Sequence, residues 1–154
     1  MIRFHDQTDY FELDLAKQEG SETPAEGDAY ITLKIVSAGF AGHNDLWVDA
    51  RSLRMFCSDI LQLAKKRQGS ARIEGISPGE LEITVRSIDR SGHMVVEGTA
   101  GYQVRRERGR RHHSVTFGFE FDPSQLNDVE KVSWIKQNAE QCGGGNSAAL
   151  GDSP

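Results

Sequence analysis

Between Tyr30 and Lys66 the apolar residues change their spacing from alternation to helical recurrence, and this constrains the fold more than any other feature. In Tyr30–Ala38, Ile31, Leu33 and Ile35 alternate with Thr32 and Lys34, as in a strand with one buried face. Gly39-Phe40-Ala41-Gly42 reverses the chain, and His43–Val48 reads as a second strand. Asp49 is placed to cap a helix, because its carboxylate can accept from a backbone N–H that has no helical partner. Leu53, Phe56, Cys57, Ile60, Leu63 and Ala64 then recur at helical spacing, with Lys65, Lys66 and Arg67 at the negative end of the helix dipole and Gly69 as its stop. A strand pair leading into an amphipathic helix implies a helix laid on a sheet.

The rest of the chain repeats strand signals. Ile2–His5 and Tyr10–Leu15 are two weak ones, the second with Phe11, Leu13 and Leu15 on one face. Ala71–Ile76, Glu80–Ile88, His93–Val104 and Ser114–Phe121 follow the helix, linked by Ser77-Pro78-Gly79, by Asp89-Arg90-Ser91-Gly92 and by a loop over 105–111. Val115, Phe117, Phe119 and Phe121 form the clearest one-sided strand. A second helix opens at Asp122-Pro123, with Gln125 placed to complete a capping box and Leu126, Val129, Val132 and Ile135 as its apolar side. The expected fold is α+β: an antiparallel meander sheet of about six strands with two helices packed on one face. Residues 1–142 form its single domain, and the glycine- and serine-rich 143–154 a disordered tail. No sequence repeat of 20–50 residues stands out.

Composition excludes several functions. The chain has 154 residues and a formal charge of −5, which disfavours a general nucleic-acid binder and favours a basic partner. Two cysteines, Cys57 on the apolar helix stripe and Cys142 near the tail, make a poor disulfide framework and fit a reducing cytoplasm. No segment has the length and apolarity of a signal peptide or a membrane span.

No nucleophile, metal or phosphate-loop motif is present in the sequence, so no catalytic residues, metal ligands or cofactors are expected. His43, Asp45 and His93 could approach one another, but no known ligand spacing supports a metal site. His112 and His113 are adjacent in a strand context and point to opposite faces. Three surface features invite recognition roles. Glu19, Glu22, Glu26 and Asp28 form an acidic loop without a balancing cation, read either as a solvated connection or as a surface for a basic protein. Trp47 and Trp134 fall off their apolar stripes, so each is either a partly exposed contact residue or covered by a neighbouring element. Arg105, Arg106, Arg108, Arg110 and Arg111 form a solvated loop tip or, as the alternative function, a nucleic-acid contact.

Taken together, Gly39-Phe40, Asp45-Leu46-Trp47-Val48, Leu53, Phe56 and Leu61, Ala71-Arg72-Ile73, Leu81-Glu82-Ile83, the run Gly92–Gly98 and Phe117–Pro123 with Leu126 resemble the WapI-like immunity proteins of bacterial contact-dependent and polymorphic toxin systems. The resemblance covers about residues 30–137; the acidic loop and the tail have no counterpart in it. It implies a non-enzymatic cytoplasmic antidote that binds and occludes a cognate protein toxin, and it transfers no active-site residues. On a basic toxin the acidic loop would mimic phosphate and Trp47 or Trp134 would anchor the contact. The oligomeric state is left open, a homodimer included.

Overall fold

A computed structural model of the chain describes residues 1–20 and 23–143. Glu22 and the tail beyond Gly143 therefore lie outside the described residues. The fold is α+β and antiparallel, and the described residues form eight strands divided between two sheets rather than about six in one. The first sheet is a meander of β1 (Ile2–Asp6), β2 (Asp9–Lys17), β3 (Ala29–Ser37) and β4 (Phe40–Val48), and α1 (Ala50–Lys66) follows. The second is a meander of β5 (Ser70–Glu74), β6 (Leu81–Ser87), β7 (Met94–Arg106) and β8 (Gly109–Phe121). A 3₁₀ helix (Pro123–Lys131) and α2 (Ser133–Gly143) close the described chain. Four strands and a helical segment thus occur twice in the same order. The two sheets are separate because α1 stands between β4 and β5, and those strands do not pair.

Alternation in each strand supplies one core. Ile31, Leu33 and Ile35 of β3 are buried beside Phe11 and Leu13 of β2, and Phe117, Phe119 and Phe121 of β8 are buried from the other sheet. Contacts step along β8 across the first sheet. Phe121 stacks on Phe4 of β1 at 4.2 Å between centroids, Phe117 on Phe11 of β2 at 6.1 Å, and Val115 lies beside Gly42 of β4. The second sheet therefore crosses the first rather than running alongside it.

Asp49 caps α1 as its position predicts: the Ser52 N–H donates to its carboxylate at 2.8 Å. Leu53, Phe56, Cys57, Ile60, Leu63 and Ala64 form the buried face, and each fully buried large side chain contributes about 1.5–3 kcal/mol. The helix ends two residues before Gly69, at Arg67, which takes a left-handed conformation (φ 56°). Its guanidinium donates to the Pro123 carbonyl and the Asn127 side chain, tying α1 to the 3₁₀ helix. The expected second helix is broken at Val132, which is extended. Leu126, Val129, Val132 and Ile135 recur every three residues, the period of a 3₁₀ turn rather than of an α-helix. Gln125 makes no capping box. Its side chain accepts from His5 N (2.8 Å) and donates to His5 O (2.9 Å), covering the open edge of β1.

Candidate functional site

The acidic loop is built into the fold more than its sequence suggests. Asp28 is buried and accepts from the Ala50 N–H at 2.9 Å, so it braces the start of α1 instead of facing a partner. Gln18 donates to the Gly27 carbonyl (3.1 Å) and exchanges two hydrogen bonds with the Asn138 side chain (2.7 and 3.1 Å), which fastens the loop to α2. Glu19 and Glu26 remain exposed and line an open groove of about 640 Å³ with Arg54. Of the four expected acidic contacts, two are therefore on the surface, one is structural, and Glu22 lies outside the described residues.

The tryptophans part company. Of the two readings open for Trp134, the structure has the covered one: it is only 7 % exposed, and its indole N–H donates to Asp14 at 3.3 Å. The 3₁₀ segment ahead of it turns α2 so that Trp134 and Ile135 both face inward, which a continuous α-helix over 123–143 would not do. Trp47 is half-buried on the outer face of the first sheet, opposite Tyr30 in the register, with ring centroids 5.1 Å apart. Tyr30 is a partner for Trp47 that its period-two position could have indicated, since residues on one face of paired strands meet across the ladder.

Where β4 meets β7 and β8, His43, Asn44, Tyr102, His112 and His113 line an open groove of about 560 Å³. Asn44 donates to the Gly101 carbonyl at 2.6 Å and joins the two sheets there. His43 lies 3.4 Å from Asp45, and the Tyr102 and His113 rings are 5.5 Å apart. His93 does not join them: it pairs with Asp89 at 2.6 Å in the β6–β7 turn. Among the described residues no three metal-ligating side chains come together. Cys57 is fully buried, and burial pushes its thiol pKa up to about 12, which leaves it unreactive at neutral pH.

The arginine segment is not a loop. Strand pairing continues to Arg106↔Gly109, and only Glu107 and Arg108 form the turn. Gly109, at φ 111°, takes the backbone conformation that this close reversal needs. β6 pairs with β7 no further than Ala100, so the rest of the β7–β8 hairpin is a two-stranded arm. Arg105, Arg106, Arg108, Arg110 and Arg111 are all exposed on it.

Among the described residues, then, Glu19, Glu26, the five arginines of the arm and the outer-face Tyr30–Trp47 pair lie at the surface of an α+β fold, while Asp28 and Trp134 lie inside it. The chain belongs to the immunity protein WapI-like family, whose model matches residues 1–141. That match extends over the acidic loop, beyond the segment that the sequence motifs cover. No curated protein and no solved structure matches the chain. Among the described residues no helix is long and apolar enough to cross a membrane.

Proposed function

We propose that this chain is a non-enzymatic immunity protein that binds a cognate protein toxin in the cytoplasm and blocks it by covering its working surface. The observation that carries the reading is the family match over residues 1–141. The surface supports it: the tilted Tyr30–Trp47 pair offers a large rigid aromatic contact on an outer sheet face. Glu19 and Glu26 lie beside a groove where they would speed the encounter with a cationic region of the toxin. Asp28 and Trp134 hold these parts in place from within.

The test is isothermal titration of the purified chain with the purified toxin domain encoded beside it. A complex is expected, and Trp47→Ala should weaken it by about 2 kcal/mol, the cost of losing a central aromatic anchor. Absence of a complex at low salt would overturn the reading.

A further inference from the structure

The strongest unassigned feature is the tip of the β7–β8 arm. Five arginines against Glu107 give it a charge of +4, which leaves −9 on the rest of a chain whose total is −5. The register sets Arg105 directly opposite Arg110. Like charges placed opposite each other destabilise a strand pair. Among the described residues none of the five takes part in an ion pair, while Arg3, Arg72 and Arg86 on the sheets each face a glutamate. The sheet arginines that face a neighbouring strand thus meet a carboxylate, whereas Arg105 meets Arg110 across the arm and the tip has no ion pair of its own among the described residues.

Reach matters as much as charge. From Ala100, the last β7 residue paired with β6, to the Val104–Arg111 pair where the arginines begin, the arm extends about 13 Å at strand rise, longer than the roughly 8 Å over which physiological salt screens charge. The tip is therefore electrically separate from the acidic body. We propose that the arm is a docking element that places its arginine tip in an acidic depression on the cognate toxin; this deepens the reading above and rests on it.

The guanidinium fork meets carboxylates with two parallel hydrogen bonds, and a two-stranded ribbon is narrow enough to enter a cleft. The partner is a protein rather than a nucleic acid because of the body's charge. A nucleic acid continues as a polyanion on both sides of its contact and would bring further phosphates towards the −9 body. An acidic depression on a protein ends where the arm ends.

The experiment titrates the co-encoded toxin domain with the parent chain, with the double variant Arg105→Glu/Arg110→Glu, and with Arg105→Lys/Arg110→Lys, at rising sodium chloride. Thermal melting of each variant reports folding. The parent complex should weaken with salt. The glutamate pair should lose about a hundredfold in affinity and the lysine pair about tenfold, because lysine keeps the charge without the fork. Melting should be unchanged or slightly raised. A parent complex that ignores salt and tolerates both double variants within about twofold would overturn this proposal and leave the immunity reading standing. Absence of any parent complex would overturn both. Salt-sensitive binding of a labelled single-stranded RNA, lost in the glutamate variant, would give the arm to nucleic acid and overturn the protein assignment.

Discussion

The loop from Gln18 to Asp28 and the arm from Gly101 to Ser114 carry this chain's two densest runs of one charge sign, and the fold uses them oppositely. In the loop, Asp28 is withdrawn to brace α1, and Gln18 fastens the backbone to α2 through Asn138. In the arm no arginine has an ion-pair partner among the described residues, and the strands carry the charge outward. Sequence shows both as charge clusters and nothing more. What separates them is whether an unpaired backbone N–H lies within reach. α1 starts with four N–H groups that lack helical partners, and Asp28 and Asp49 each accept from one. In the arm the strands pair up to the turn, and Arg111 donates only to the carbonyl of its neighbour Arg110 (3.2 Å), a contact that stays within the tip.

The largest expected effect is in β7 just before the arm begins, where Gly98 pairs with both β6 and β8. Gly98 has φ 152°, and a Cβ there would fall 2.0 Å from the Glu82 carbonyl oxygen of β6. Backbone has to move to relieve that contact, so Gly98→Val should cost about 3 kcal/mol or more in chemical denaturation. Stability near the parent value would mean that β6 and β7 yield easily and that the arm is no rigid outgrowth of the sheet. Next comes Asp28→Ala, which leaves the half-buried Ala50 N–H without its acceptor and should cost about 1–2 kcal/mol. Glu19→Ala and Glu26→Ala, on exposed side chains of the same loop, should each change stability by less than about 0.5 kcal/mol. Equal losses at all three positions would erase the contrast between a braced loop and an external arm.

Much of this architecture was legible because it rests on local period. The alternation in Tyr30–Ala38, the cap at Asp49 and the stripe from Leu53 to Ala64 each fix one element by themselves, and each lies where the spacing put it. The division into two sheets was not legible. It depends on β5 packing under α1 rather than pairing with β4, a choice made by tertiary contact. The break at Val132 was present in the sequence as a spacing of three, hidden because three also fits the apolar stripe of an α-helix. The surface was read less well for a related reason. Asp28 looks exposed in one dimension and Trp134 is open to either reading, and only the position of the α1 terminus and the turn of α2 bury them.

A smaller effect of opposite sign is expected at the tip. Arg110→Glu would give Arg105 an opposite charge across the ribbon in place of a like one. It should raise stability by about 0.2–1 kcal/mol in low salt, as read by thermal melting. A loss instead would show that Arg110 has an internal role and would dissolve the comparison between the arm and the loop.

The smallest effect concerns the Asp89–His93 pair, an exposed charge pair that, unlike the arm, contains its own partner. The side-chain hydrogen bond to Asp89, reinforced by its charge, raises the His93 pKa above 6.5, and the same bond lowers the Asp89 pKa below 3.8. A raised histidine stabilises the fold fully below its unfolded pKa, and the gain fades as pH rises through the folded value. A lowered carboxylate stabilises above its unfolded pKa and loses that gain as pH falls through the folded value. The pair therefore contributes most between pH 3.8 and 6.5, and less at mildly alkaline pH. His93→Gln should lower the melting temperature slightly inside that window and leave it unchanged above it, where the parent histidine is neutral too. Among the described residues no titrating group is ion-paired with the five arginines of the tip, so Arg105→Ala should shift melting equally on both sides of the window. If Arg105→Ala instead followed the His93 pattern, the tip would be coupled to an internal acid, and its charge would not be free for a partner.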